Sequence, residues 1–246
     1  MRVWARGEEK LSKIVRINKY LTEANYCSRR QADRLVEEGR VRINAEKARL
    51  GGRVQSGDKV FVDGSEIKRK EKKIYIAYNK PVGVICTTDK TAKDNIIGKI
   101  KYPARIYPIG RLDVNTSGLI LLTNDGNIVN RILKGRHRVE KEYEVSTDKK
   151  ITEKLLSGLE QGVVLDGLKT LPIKLKQLSE RKLSMVLTEG KNRQVRRMVR
   201  EFGFEAVKLK RVRIGQLKLE DLSLRANQYI ELKKDLIDKL ILLNRP

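Results

Sequence analysis

Residues 108–126, PIGRLDVNTSGLILLTNDG, form the segment whose residue types and order best suit chemistry. A polar loop with early glycines leads into an apolar stretch that is typical of a buried strand. Asp113 lies in that loop, where a carboxylate could act as a nucleophile or a base. An aspartate shortly before Asn and Thr more often serves as a turn or cap residue, so the residues alone favour the structural role.

Cysteine and histidine usage excludes several other kinds of chemistry. The chain has two cysteines, Cys27 and Cys86, in no C-x-x-C pair, which argues against a disulfide scaffold or a zinc ribbon. A single histidine cannot form a histidine cluster for a metal. The glycine-rich motifs of ATP and dinucleotide sites are also missing from the sequence. Carboxylate chemistry or plain binding remains, and we expect neither a metal nor a cofactor.

The charge balance points to a polyanionic partner. The 246 residues include 55 Lys and Arg against 31 Asp and Glu, a net charge of +24. A basic proteome or a thermophilic source would explain the same charge without any partner. No apolar run approaches the roughly 18 residues of a spanning helix, and the first residues lack the apolar core of a signal peptide. We therefore expect a cytoplasmic monomer that does not contact a membrane.

The sequence pattern predicts two domains joined by a charged connector. After a tail at residues 1–12, residues 13–64 fit a small αα-plus-β unit. Ser28 and Gln31 form a capping-box pattern at the start of the second helix, and Gly39 is placed to end it. Residues 65–73 are mostly charged and fit a flexible linker.

Residues 74–246 fit a larger α+β domain with a mixed or antiparallel sheet. Apolar β-type runs predict strands at residues 74–78, 119–123, 142–145, 173–178, 183–187 and 207–214. Helical spacing predicts helices at residues 127–133, 152–159, 194–202 and 236–243.

Two basic surfaces follow from these elements. Packing the apolar face of the second helix on a core turns Arg29, Arg30 and Arg34 outward, as an RNA contact or as an ordinary solvated face. Residues 191–213 hold nine Lys or Arg and two acids, which favours a phosphate-contacting wall. Strand alternation places Lys208 and Lys210 on one face of that wall.

Residues 16–44, RINKYLTEANYCSRRQADRLVEEGRVRIN, resemble the S-four-like RNA-binding domain. GRLD with the following SGLILLTNDG resembles the central motif of the RsuA family of pseudouridine synthases. The family's other segments follow in order: Lys80-Pro81 with Gly83, then EKEYEV at residues 140–145, then EGKNRQVRRM at residues 189–198. The resemblance implies a cofactor-free enzyme that isomerises a uridine. Its large-subunit ribosomal RNA branch is the most similar, with a tRNA anticodon uridine as a further candidate substrate.

The resemblance also implies a role for individual residues. Asp113 matches the catalytic aspartate, and Arg111 matches an arginine that helps to displace the target base. Tyr143 matches a tyrosine that could stack on the flipped uracil or help to remove its C5 proton, although an aromatic in a strand often only packs in the core. Arg196 matches the basic residue that pairs with the catalytic aspartate. The nearby candidates for that pairing are Arg193 and Arg197.

Two other functions compete with the isomerase. A non-enzymatic ribosomal RNA-binding factor would bind RNA normally and would not need Asp113. A metal-dependent nuclease would use Asp113 with Asp125 or Asp89, although these positions form no compact carboxylate pattern.

Overall fold

A computed structural model describes residues 14–68, 72–89, 91–133 and 139–242, leaving aside the side chains of residues 239–242. The predicted tail at residues 1–12 lies outside these ranges. The chain divides into two compact units, Met1–Lys72 and Lys73–Pro246. Within the described ranges, no helix combines the length and the apolar character that a membrane crossing requires.

The described part of the first unit contains two helices and six short strands. The helices are α1 (Ile17–Glu23) and α2 (Arg29–Glu37). The strands are β1 (Val15–Arg16), β2 (Val41–Ile43), β3 (Glu46–Lys47), β4 (Arg53–Val54), β5 (Val60–Val62) and β6 (Ser65–Glu66). Four strands form an antiparallel sheet in the order β3-β2-β5-β6, and β1 pairs with β4.

Helix α2 forms for the reasons that the sequence predicts. The Ser28 hydroxyl accepts a hydrogen bond from the Gln31 amide at 3.2 Å, which caps the first turn. Ala32 and Leu35 are buried in the core of the unit. Gly39 ends the helical segment with a φ of +68°, a conformation that glycine adopts without a steric penalty.

The predicted linker starts too early. Ser65 and Glu66 form strand β6, which pairs with Phe61 and Val62 of β5, and Ile67 packs against the core of the first unit. An edge strand depends on backbone hydrogen bonds and tolerates charged side chains, so its composition resembles that of a linker. Residues 69–71 of the predicted linker lie outside the described ranges.

The second unit, as far as its residues are described, is built on a large sheet with five helices. Its strands are β7 (Tyr75–Lys80), β8 (Tyr107–Pro108), β9 (Ser117–Thr123), β10 (Lys141–Thr147), β11 (Val164–Leu165), β12 (Leu168–Lys169), β13 (Lys174–Ser179), β14 (Lys182–Leu187), β15 (Ala206–Ile214), β16 (Leu217–Lys218) and β17 (Tyr229–Glu231). Its helices are α3 (Ile96–Ile100), α4 (Gly126–Leu133), α5 (Glu153–Glu160), α6 (Gln194–Arg200) and α7 (Lys234–Leu242), with a 3-10 turn at Glu220–Leu222.

Nine strands of this unit form one mixed sheet, as predicted. The main order is β13-β14-β10-β15-β9-β7-β17, with β16 on β15 and β8 on β9. The pairs are antiparallel except β15 with β9, which are parallel at Lys210–Ser117 and Arg211–Gly118. A separate two-stranded ribbon joins β11 to β12.

The central strands carry apolar residues on both faces. Tyr75, Leu119 and Leu121 face a core that includes residues of α4 and α7. Ile76 and Ile120 face the opposite core, which includes residues of α3. A third core joins β10, β14 and β15 to α5 and α6. Burial on both sides explains why β7 and β9 are almost continuously apolar.

The predicted strands and helices of this unit are all present, with ends shifted by a few residues. The Thr152 hydroxyl caps α5 as expected, accepting a hydrogen bond from the Leu155 amide. The strands that the pattern did not predict are two or three residues long, too short to show a period. Helix α3 was also missed, because its five residues barely exceed one turn.

Candidate active site

An open cleft of about 660 Å³ lies in the second unit. Its walls come from the loop before β9, strands β10 and β15, the segment before α6, and Ile85 with Cys86. Asp113 and Tyr143 both line this cleft, as do Arg111 and Arg193. The fold therefore brings these four residues together, although Arg111 and Arg193 lie 82 positions apart along the chain.

Asp113 lies in the loop that joins β8 to β9. Its backbone carbonyl accepts a hydrogen bond from the Thr116 amide at 3.0 Å, which closes a turn. The neighbouring Leu112 is buried in the core, and its amide donates to the Cys86 sulfur at 3.4 Å. These contacts fix the backbone on both sides of Asp113, whose side chain remains 32% exposed in the cleft. Asp113 thus occupies a turn and still offers its carboxylate.

The buried amine of Lys80 holds the loop that carries Asp113 through hydrogen bonds to backbone carbonyls. Its side chain is fully buried, and its amine donates to the carbonyls of Pro81 and Val84 at 2.9 Å and of Val114 at 3.4 Å. The Gly83 amide donates to the same Val114 carbonyl at 2.9 Å. Burial lowers the pKa of the Lys80 amine. The early Lys-Pro-x-Gly segment therefore positions the residue that directly follows Asp113.

Arg196 anchors the loop from the other side. Its guanidinium donates to the carbonyl of Asn115 at 2.7 Å and to the carbonyl of Ala206. Burial lowers the pKa of Arg196, and the positive charge of Arg193 lowers it further.

Asp113 has an ion-pair partner in the residue that directly precedes α6. Among the described residues, the basic group within ion-pair distance of Asp113 is Arg193, whose Nη1 lies 4.0 Å from Oδ2. Two backbone carbonyls accept hydrogen bonds from the Arg196 guanidinium, and the negative charge of Asp113 also acts on it, so the pairing of Arg196 with Asp113 stays a prediction. The other alternative, Arg197, pairs with Asp166 at 2.6 Å.

Tyr143 lies on β10 where two cores meet. Its ring is partly buried and packs against the clusters on both sides. Arg211 lies opposite on β15, with its guanidinium carbon 6.0 Å from the ring centroid. Tyr143 therefore combines the core-packing role with a position in the cleft wall.

Two basic residues of the cleft were not predicted. Lys141, two residues before Tyr143, and Arg211 are 9% and 5% exposed and both line the cleft. Burial lowers the pKa of Lys141 to about 8, and the charge of Arg211 contributes. The i, i+2 spacing from Tyr143 could have indicated Lys141, since alternate strand residues share a face.

The other predicted RNA-binding residues lie outside the cleft. Lys208 and Lys210 are exposed, and strand alternation places them on the face opposite the cleft-lining Leu209 and Arg211. They therefore do not line the cleft, and their contact with RNA phosphates stays a prediction. In the first unit, Arg29, Arg30 and Arg34 of α2 are exposed, as predicted, and so are Gln31 and Glu37.

The cleft is rich in positive charge. Five basic residues line it against two acids, Asp113 and Glu189. Glu189 is already engaged, because its Oε1 accepts hydrogen bonds from Gln194 and the Leu171 amide. Across the part of the chain that is described, no group of three or more His, Cys, Asp or Glu is arranged to hold a metal ion.

Comparison with known proteins agrees with this geometry. Residues 74–201 match the family model described as RNA pseudouridylate synthase, and residues 15–60 match the S4 domain. The dual-specificity RNA pseudouridine synthase RluF of Escherichia coli K12 is 43% identical over 212 residues, covering 85% of this chain and 73% of its own. The ribosomal large subunit pseudouridine synthase B of Bacillus subtilis is 38% identical, covering 84% of this chain and 88% of its own.

A solved structure supports the same assignment. A crystal structure of a pseudouridylate synthase superposes with a TM-score of 0.69 at 31% identity, covering 92% of this chain and all of that chain. The family resemblance inferred from the motifs around Asp113 is thereby confirmed. The motif aspartate lies in an open basic cleft of a pseudouridylate synthase domain that follows an S4 domain. The chain therefore belongs to the RNA pseudouridine synthase family.

Proposed function

We propose that this protein converts a specific uridine of large-subunit ribosomal RNA to pseudouridine, without a cofactor, as a cytoplasmic monomer. The observation that carries the proposal is the placement of Asp113 and Tyr143 in one basic cleft. The relatives from E. coli and B. subtilis are named as dual-specificity RNA and ribosomal large-subunit enzymes, which supports the substrate class. The dual-specificity name makes a tRNA uridine the second substrate to test.

The proposed reaction is an isomerisation that balances within the nucleotide. The uridine leaves its stack and enters the cleft, where the Asp113 carboxylate attacks the sugar or the base. The bond from N1 to C1′ breaks, the uracil turns, a bond forms from C5 to C1′, and the bond between Asp113 and the nucleotide breaks, which regenerates the carboxylate. C5 loses a proton and N1 gains one, so no oxidant, reductant or nucleotide triphosphate is consumed.

The neighbouring side chains support this step in different ways. Arg193, 4.0 Å from the Asp113 carboxylate, holds the nucleophile, while Arg196 holds the loop that carries it. The ring of Tyr143 offers a flat face to the uracil, a contact that contributes about 1–3 kcal/mol per base. Arg111 is exposed at the cleft and is positioned to take the place of the displaced base.

The first test is the Asp113→Asn variant on unmodified ribosomal RNA. We expect the wild type to form pseudouridine and the variant to form none while it still binds the RNA. Asp221→Asn, which makes the same change at an exposed position, is the control and should behave as the wild type. Pseudouridine formation by Asp113→Asn at the wild-type rate would contradict the mechanism.

A second experiment identifies the target. Pseudouridines are mapped in ribosomal RNA and tRNA from cells with and without the protein. The proposal expects at least one large-subunit position to lose its modification. Unchanged maps with normal RNA binding would instead favour a non-enzymatic binding factor.

A further inference from the structure

Lys141 and Arg211 form an unusual pair in the wall of the cleft. Lys141 lies on β10 and Arg211 on the adjacent β15, and both are at least nine-tenths buried. The Arg211 Nε donates to the Leu119 carbonyl at 2.7 Å, which fixes the guanidinium. The Nη2 atom of Arg211 is buried and, among the described residues, has no hydrogen-bond partner.

Within the described ranges, Lys141 also has no compensating charge. Among the residues that the structure describes, no carboxylate lies within ion-pair distance of its amine. The nearby acids on the same strand pair elsewhere: Glu142 with Arg213, and Glu144 with Lys182. The charge that acts on Lys141 is the like charge of Arg211, and together with burial it lowers the pKa of the amine.

Two buried cations in one cleft wall are costly to the fold. Removing a charge from water is unfavourable unless a partner of opposite sign compensates it, and a neighbouring like charge increases the cost. A structural role normally supplies that partner, as Glu142 does for Arg213. The missing partner and the position in the cleft wall indicate that a ligand supplies the negative charge.

We propose that Lys141 and Arg211 together bind a negatively charged oxygen of the flipped uridylate. This inference rests on the proposed function. Two oxygens of that nucleotide qualify: a non-bridging oxygen of its phosphate, and a carbonyl oxygen of the uracil once the bond from N1 to C1′ breaks and the electron pair moves onto the ring. The first charge is present in the bound substrate, whereas the second develops only during the reaction.

The decisive variant is Lys141→Met, studied in the full-length protein. Methionine keeps the length and the apolar stem of lysine but removes the charge. The proposal expects a melting temperature equal to or above that of the wild type together with impaired activity or binding. A merely structural lysine would show the reverse, because its loss would lower the melting temperature.

Kinetics then separate the two oxygens. If Lys141 binds the phosphate, RNA affinity falls and the slope of log affinity against log salt decreases by about one. If Lys141 stabilises the uracil anion, kcat falls at least about tenfold with unchanged affinity, because the contact is made only in the transition state. In either case Lys141→Arg should restore most of the loss.

Controls keep this test independent of the proposed function. Lys182→Met removes a lysine from the adjacent strand β14. Lys182 pairs with Glu144 of β10 at 2.8 Å, and its replacement should leave activity unchanged. A wild type that forms no pseudouridine would refute the proposed function. The melting temperatures would still show whether the Lys141 charge destabilises the fold. A clear loss of stability in Lys141→Met, or unchanged kcat and affinity, would overturn the inference.

Discussion

Single residues in the cleft combine structural and chemical roles. The Asp113 backbone closes a turn to Thr116, as aspartates in loops commonly do, while its carboxylate remains open to the cleft. Tyr143 packs on two cores and presents its ring beside Arg211. The structural role of each residue is therefore compatible with its predicted chemical role, since backbone or ring packing leaves the reactive group accessible.

Two substitutions at Tyr143 separate the ring from the hydroxyl. Tyr143→Ala removes the stacking face and should weaken binding of the substrate RNA by about 1–3 kcal/mol. Tyr143→Phe keeps that face, so its RNA affinity should stay within about twofold of the wild type. Fluorescence anisotropy with the same RNA measures both values. Equal losses in the two variants would show that the hydroxyl, not the ring, carries the interaction.

The difference in stability between Lys141→Met and the wild type should depend on pH. Its pKa is about 8 in the folded protein against 10.5 for an ordinary lysine, so the unfolded chain binds more protons between these values. Wild-type stability therefore rises over this window, whereas Lys141→Met lacks that gain. The variant should be more stable by about 1–3 kcal/mol at pH 7, with the difference shrinking from pH 8 to 10.5. Urea unfolding at several pH values measures this difference, and a constant difference would contradict the prediction.

At the residue scale, the sequence predicts some of the residues that line the cleft and misses others. Asp113 and Tyr143 lie in recognisable motifs, and both line the cleft. Lys141 and Arg211 were missed because a charged residue in a strand usually indicates a solvated face. The two carbonyl contacts of Arg196 were not predicted, because residue order does not reveal which backbone carbonyls a guanidinium will meet.

At the scale of elements, the close approach of β9 and β15 builds the wall beneath the cleft. Gly118 has a φ of +103°, and a Cβ there would lie 2.2 Å from the Arg211 carbonyl oxygen. Only glycine lets these backbones come so close. The same contact places Arg211 where its Nε reaches the Leu119 carbonyl. The parallel pairing of β9 with β15 joins residues about 93 positions apart along the chain, which no local pattern could predict.

Gly118→Ala should therefore destabilise the protein strongly. The added Cβ must displace backbone, so we expect a loss of about 2 kcal/mol or more in the free energy of unfolding. Gly167→Ala is the matched control, because Gly167 also has a positive φ, +75°, but open space around its missing Cβ. Denaturant unfolding of both variants measures the difference. Similar losses would mean that backbone conformation, not the contact with Arg211, requires glycine at position 118.

At the scale of the whole molecule, the charge of +24 is spread over two units with different roles. The basic cleft of the second unit surrounds Asp113, whereas α2 of the first unit presents its arginines to solvent. The composition indicated a polyanionic partner, and the RNA-modifying family now accounts for it. Composition alone could not divide the charge between catalysis and binding.

Replacing Arg29, Arg30 and Arg34 by Gln should weaken RNA binding and reduce its dependence on salt. For every phosphate that these arginines neutralise, the slope of log affinity against log salt should fall by about one in the variant. The control removes the same charge from three exposed lysines of the second unit, Lys150, Lys154 and Lys176. Affinity measured over a range of salt concentrations compares the two sets. Equal effects would show that net charge, and not the α2 surface, governs binding.

The strand order also sets when the enzyme can become active during its own synthesis. The pairs of the first unit are all complete once Glu66 has been made, so that unit can fold early on a growing chain. The cleft needs β15, which ends at Ile214, and β7 acquires its outer neighbour only with Tyr229–Glu231. Contacts so distant along the chain form slowly. A nascent chain can therefore complete its S4 domain long before the cleft that holds Asp113.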